Sequence, residues 1–175
     1  ADHFPFRQKV TARGIRRTPF HAQLEQNGAV FGELAGWERA NWFAKKKQKA
    51  EYAYSWKRQN WFKNSAQEHH AIRNGVGMYD MSSFGKIRVE GRDCESFLNY
   101  VCGAEMAVPT GKIVYTQFLN RNGGIEADVT VTRLSEFAYL IVTPAATRQA
   151  DEIWLRRHLG EYNVVLTDVT SAEAV

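Results

Sequence analysis

Cysteine is scarce in this chain: of 175 residues, only Cys94 and Cys102 carry thiols. No C-x-x-C pair is present, so neither a zinc site nor a dithiol redox pair is supported. Two lone thiols suit a reducing compartment. Phosphate-cradling loops are missing too. There is no G-x-G-x-x-G and no G-x-x-x-x-G-K-[S/T], so any dinucleotide or redox cofactor would have to sit on another domain. The longest apolar run, Phe137 to Val142, is far too short to span a bilayer, and no secretory signal is seen. These absences point to a soluble, intracellular chain. Repeats and low-complexity tracts are likewise lacking.

What is present is a globular composition: 44% hydrophobic and 13% aromatic residues, enough to bury a real core in one domain. The net charge of +4 is modest and partly local, in Arg13, Arg16 and Arg17 and again in Lys45, Lys46, Lys47 and Lys49. Such runs are commonly solvated faces. A basic surface also favours an anionic partner, such as a polyglutamate tail, nucleic acid or an acidic domain. The chain opens at Ala1 in an irregular stretch through Pro5 and Pro19, and stops at Val175 directly after a strand-like run. Both ends read as those of a fragment of a longer polypeptide.

Two segments are expected. Residues 1–64 form an irregular, aromatic-rich segment, with a short helix over Leu24–Gly28 stopped at Asn27-Gly28. Its Trp37, Trp42, Phe43, Tyr52, Tyr54, Trp56, Trp61 and Phe62 are dense enough that most should be buried by packing over a sheet, with a planar-ligand cage as the alternative. Residues 65–175 read as α+β. Ser65 with Glu68 gives a capping box for a helix to Arg73. Lys86–Glu90 alternates as a strand, and Asp93 can cap a helix carrying Phe97, Leu98 and Val101. Strands over Lys112–Leu119 and Ile125–Leu134 flank a hairpin-type turn at Asn122-Gly123-Gly124. A strand over Ala138–Val142, a helix over Thr147–Leu159 and a strand over Val164–Val169 complete the order β-α-β-β-β-α-β. That is an antiparallel or mixed sheet with helices on one face, close to a ferredoxin-like unit.

Chemistry is most readable on the strand from Ile125. Alternation puts Ile125, Ala127, Val129 and Val131 on one face and Glu126, Asp128, Thr130 and Thr132 on the other. A face with a carboxylate in mid-strand either meets water or lines a polar site. Ile113, Tyr115 and Gln117 share a face of the preceding strand, and the hairpin could set Tyr115 near Asp128. A tyrosine beside a carboxylate suits a planar, nitrogen-rich ligand. His69 and His70 are adjacent on a helix, point about 100° apart, and cannot share a metal. Ser82-Ser83 lacks nucleophile-elbow glycines, which disfavours a hydrolase.

Four ordered stretches carry a resemblance: Glu68-His69-His70-Ala71-Ile72-Arg73, Gly77-Met78-Tyr79-Asp80-Met81-Ser82, Gly111-Lys112-Ile113-Val114-Tyr115, and Asn120 through Gly123-Gly124 to Asp128. Together they resemble the T-protein of the glycine cleavage system, an aminomethyltransferase. Gly28-Ala29-Val30-Phe31-Gly32 and Gly36-Trp37-Glu38-Arg39-Ala40-Asn41-Trp42-Phe43 are similar to the dimethylglycine and sarcosine dehydrogenase branch, in which an FAD oxidoreductase domain precedes the folate domain.

The resemblance implies the N-terminal half of a tetrahydrofolate-binding domain, truncated at its C-terminus. It would capture the one-carbon unit from a methylated amine as 5,10-methylenetetrahydrofolate, with FAD on a missing upstream domain in cis. Asp128 falls on the family's catalytic aspartate, Tyr115 on a tyrosine lining the folate site, and Phe84 where the T-protein has a methionine at that wall. Thr143 stands near the place of an asparagine. Ala127 departs from the family's pair of adjacent acids. Further folate contacts would lie beyond Val175, so the isolated chain is expected to be inactive. The implied compartment is the cytoplasm, or the mitochondrial matrix in a eukaryote. The alternatives are a non-catalytic folate-binding module and a sheet that binds single-stranded nucleic acid. The latter is disfavoured because no RNP-like aromatic pair sits on a central strand.

Overall fold

The computed structural model describes residues 7–173; the opening through Pro5 and the chain end at Val175 lie outside them. The contacts divide the chain into two compact units, one up to Ser82 and one from Ser83. The 64/65 boundary read from aromatic density therefore falls inside a helix of the first unit.

In the first unit, α1 (His21–Gln26) stops at Asn27, and Gly28 takes φ +86° to turn the chain into β1 (Ala29–Leu34). A two-residue turn joins β1 to β2 (Trp37–Phe43). Its Ala35 and Gly36 both have positive φ, 52° and 84°, the backbone hand that matches the twist of a hairpin. Trp37 and Trp42 are buried on this hairpin. Tyr52, Tyr54 and Trp61 are half-buried, while Trp56 and Phe62 are exposed. Packing thus accounts for most of the aromatic density.

The helix expected from Ser65 begins earlier: α2 spans Phe62–Asn74 with Trp61 at its N-cap position and no side-chain cap. Ser65 lies inside the helix, so the expected capping box does not form. Glu68 instead accepts a hydrogen bond from the Phe43 backbone N–H at 3.2 Å. A partner on β2 outcompetes the local cap.

The second unit is built from β3 (Gly85–Glu90), α3 (Cys94–Val101), β4 (Ile113–Leu119), β5 (Ile125–Ser135), β6 (Ala138–Thr143), α4 (Arg148–His158) and β7 (Val165–Asp168). Its five-stranded sheet runs β4-β5-β6-β3-β7, every neighbour antiparallel. The order β5-β6-β3-β7 is the ferredoxin-like arrangement, with β4 added at the edge. This is the α+β plan read from the sequence.

One face of the sheet carries Phe118, Ala127, Val129, Val131, Tyr139, Ile141, Ile87 and Val89, packed with Phe97, Leu98 and Val101 of α3 and Leu155 of α4 in a single buried cluster. Full burial of each large aliphatic or aromatic side chain is worth about 1.5–3 kcal/mol. Both helices therefore cover the same face. Asp93 occupies the N-cap position of α3 but makes no capping bond; its carboxylate accepts the Asn163 N–H at 2.7 Å, pinning the loop before β7.

Alternation on β5 fails at one end. Ala127, Val129 and Val131 are buried as expected, but Ile125 is 68% exposed. A register shift opposite Phe118 and Leu119 pairs Leu119 with Ile125 and skips Glu126. Such a bulge resets which face the following side chains take. No helix among the described residues is long and apolar enough to cross a membrane.

Candidate functional site

On the sheet face turned away from α3 and α4, polar residues gather on β4 and β5. Gln117 on β4 stands directly opposite Asp128 on β5, and Tyr115 stands opposite Thr130. Diagonal neighbours across an antiparallel pair lie within reach of a long side chain, and Tyr115 uses that reach. Its hydroxyl donates to Asp128 Oδ2 at 2.7 Å, while Gln117 Nε2 donates to Asp128 Oδ1 at 3.0 Å. Each carboxylate oxygen thus carries one donor from β4, and the other lone pairs remain for a ligand. The Tyr115 phenol is held above its ordinary value, first because ionising it would forfeit the hydrogen bond it donates to the Asp128 carboxylate.

The turn that aligns these strands is tied by Asn120. Its Oδ1 accepts the N–H groups of Asn122 and Gly124, and its Nδ2 donates to Glu126 Oε1 at 2.7 Å. Gly123 takes φ +77° at the tip. The Asn122-Gly123-Gly124 signal therefore does what the sequence suggests, and it sets the register that brings Tyr115 to Asp128.

The remaining expected site residues are not on the β4–β5 hairpin. Phe84 is half-buried and immediately precedes β3. Because β6 intervenes between β5 and β3, the two strands are roughly 10 Å apart. Thr143 lies in register with Gly85 and shares its side of β6 with Tyr139 and Ile141, which is the helix-covered face. It is 1% exposed, and its hydroxyl donates to Asp151 of α4. Thr147 donates to the same carboxylate oxygen at 2.8 Å. Thr143 and Asp128 are thus on opposite faces, and period-two alternation separates them. Gln117 was recognised in the sequence as sharing a face with Tyr115, but nothing there gave its hydrogen bond to Asp128. The signal was its place in a seven-residue strand whose hairpin register is fixed by the turn.

Other candidates are accounted for locally. In the first unit a cleft of about 330 Å³ is lined by Gln8, Asn41, Trp42, Tyr52, Tyr54, Gln59 and Trp61. Tyr52 and Tyr54 stack on each other at 5.5 Å, and their hydroxyls accept from Asn41 Nδ2 and the Gln8 backbone N–H, both at 2.7 Å. His69 and His70 are exposed, their rings 6.0 Å apart and nearly perpendicular. Cys94 and Cys102 are buried in the second unit's core. Burial raises both thiols, Cys102 to about 12.

The model of the GCVT N-terminal domain family matches residues 20–175. The chain is 43% identical over 174 residues to a 4-methylaminobutanoate oxidase (formaldehyde-forming) of Paenarthrobacter nicotinovorans, covering 99% of this chain and 21% of that protein. It is 31% identical over 156 residues to the mitochondrial sarcosine dehydrogenase of Homo sapiens, covering 75% of this chain and 17% of that one. The crystal structure of glycine cleavage system aminomethyltransferase T from Bartonella henselae superposes with a TM-score of 0.73 at 25% identity, over 90% of this chain and 39% of that one. The chain thus spans about a fifth of the length of these two sequence relatives. With the family's model matching most of its residues, the chain belongs to the GCVT N-terminal domain family of aminomethyltransferases, and within it is similar to amine oxidase and sarcosine dehydrogenase relatives.

Proposed function

We propose that this chain forms one wall of a tetrahydrofolate site in a flavin-dependent N-methyl amine dehydrogenase of the dimethylglycine or sarcosine type. The site would capture the one-carbon unit as 5,10-methylenetetrahydrofolate. The observation that carries the reading is the exposed Asp128 carboxylate, on the sheet face away from the helices and oriented by Tyr115 and Gln117. Family membership and the names of the oxidase and dehydrogenase relatives support it.

The residues fit such a ligand. A carboxylate with free lone pairs accepts N–H groups, and an exposed tyrosine ring offers an apolar face to a planar heterocycle. Bound tetrahydrofolate supplies the nitrogen that takes up the one-carbon unit. Asp128 places fixed negative charge where positive charge develops and can accept, on either Oδ, the proton that the attacking amine loses. Tyr115 lines the site, and Phe84 is assigned to its apolar flank. Thr143, on the covered face, is read as holding α4 against β6 through Asp151. FAD would be held by another domain in cis, because the chain has no dinucleotide fingerprint.

The test uses the complete polypeptide with its flavin domain. Asp128→Ala is expected to abolish methylenetetrahydrofolate formation and release formaldehyde, with amine-dependent flavin reduction unchanged. Wild-type product formation in that variant would remove Asp128 from the chemistry.

A further inference from the structure

Asp128 is held from one side only, and by two chemically different donors. We infer that Gln117 is a positioning residue for the one-carbon transfer: it fixes the plane of the Asp128 carboxylate, so that the lone pairs facing the ligand are set before the ligand arrives. The inference rests on the folate reading of this face.

The geometry gives Gln117 this role for three reasons. It stands in register opposite Asp128, the shortest cross-strand separation available, with Nε2 3.0 Å from Oδ1. Tyr115 reaches the other oxygen only along the diagonal, from beside Thr130. A carboxylate on a short side chain turns about χ2 within a broad well, and one donor leaves that rotation open. Two donors on separate oxygens close it. Finally, the backbone that carries Gln117 is pinned on its outer side as well. Gly103 N–H donates to the Gln117 carbonyl at 2.9 Å, and Ala104 N–H donates to the neighbouring Thr116 hydroxyl at 3.1 Å.

The same geometry fixes the amide itself. With Nε2 committed to the carboxylate, Oε1 must face away from Asp128, since two acceptors would repel. Gln117 is therefore a donor toward Asp128 in every productive arrangement, and a side chain that cannot donate there leaves the carboxylate free to turn. Misplacement of a reacting group by about 1 Å costs on the order of 100-fold in rate, which bounds the effect expected here.

Two substitutions separate positioning from packing, both on the face away from the core. Gln117→Leu keeps the bulk and removes the donor. Gln117→Glu keeps the shape and sets a second carboxylate against Asp128 at neutral pH. Such a pair shares a proton at lower pH, and the donor is then restored. Methylenetetrahydrofolate formation is measured from pH 5 to 9 in the complete polypeptide, with flavin reduction and thermal unfolding as controls. In Gln117→Leu, kcat for the transfer is expected to fall about 10- to 100-fold at every pH, with KM for tetrahydrofolate changing less. Gln117→Glu is expected to be equally impaired at pH 8 and to recover as the pH falls. An unchanged kcat with a raised KM in Gln117→Leu would make Gln117 a ligand contact and overturn the positioning role. Wild-type behaviour of both variants, beside an inactive Asp128→Asn, would overturn it while leaving the folate reading intact. A fully active Asp128→Asn would overturn the folate reading, and this inference with it.

Discussion

The Tyr115 hydroxyl and the Asp128 carboxylate meet at 2.7 Å across a diagonal of the β4–β5 ladder, on a face that no helix of their unit covers. That contact has a titration signature. The phenol is raised, first by its bond to Asp128 and against a lowering contribution from Gln117. Asp128→Asn should bring Tyr115 down toward about 10, and Gln117→Leu should move it further up. The ring-carbon NMR shift of Tyr115 followed against pH reads both. With Asp128 ionised, the contact favours the folded state below the free phenol's value and is lost as pH rises through the folded one. Two variants that titrate like the wild type would show that the contact is absent in solution.

Thr143 offers a contrasting substitution. Thr143→Val removes one of the two hydroxyls on the buried Asp151 while conserving shape. A loss of about 1–2 kcal/mol is expected in denaturant unfolding, with tetrahydrofolate binding by the complete protein unaltered. A selective loss of binding with stability intact would return Thr143 to the folate site.

Glu38 in the first unit accepts from Arg13 Nε and Nη2 and from the Gly14 N–H, at 2.7, 2.6 and 2.7 Å. The Arg13 hydrogen bonds hold its carboxyl below the usual range. This stability is therefore present above the unfolded value, about 4.3, and is lost as pH falls through the folded one. Arg13→Ala leaves the buried carboxylate with the Gly14 N–H but without its counter-charge, and should cost about 3 kcal/mol at pH 7, with a flatter acid limb in the stability–pH curve. An acid limb identical to the wild type's would count against the pairing.

Gly91 ends β3 at φ +144°, and a Cβ there would stand 2.1 Å from the Asn163 carbonyl oxygen. Gly91→Ala combines a strained backbone with a forced shift of the β7 approach. It should destabilise the fold by about 2–4 kcal/mol, visible as a lowered Tm. An unchanged Tm would mean that the loop at Asn163 yields freely.

Cys94 and Cys102 should both resist a disulfide-exchange reagent in the native state and react fully on unfolding. Burial keeps the thiols protonated, Cys102 up to about 12, and the thiolate is the reactive form. Rapid native-state labelling at pH 8 would contradict the packing.

Much of the second unit was legible because its signals are local and periodic. Phe97, Leu98 and Val101 at helical spacing mark α3, and Val129 with Val131 marks the buried face of β5. The turn glycines fix the register, and so the meeting of Tyr115 with Asp128. What escaped the sequence was settled by partners distant along the chain. Glu68 leaves its local cap for Phe43, Asp93 serves Asn163, and Thr143 turns toward Asp151. Ile125 departs from its expected face because a bulge is a property of two strands together, and period-two counting sees only one.

Placement of β4 at the sheet edge gives the open face an indirect dependence on the opposite one. A slip of one residue against β5 would turn Tyr115 and Gln117 inward and expose Phe118, which is 0% exposed in the fold. Greasy side chains that never approach a ligand thereby act as the ruler by which the polar pair is aligned. Substitutions beneath the sheet can spoil selectivity above it without altering any group the ligand touches.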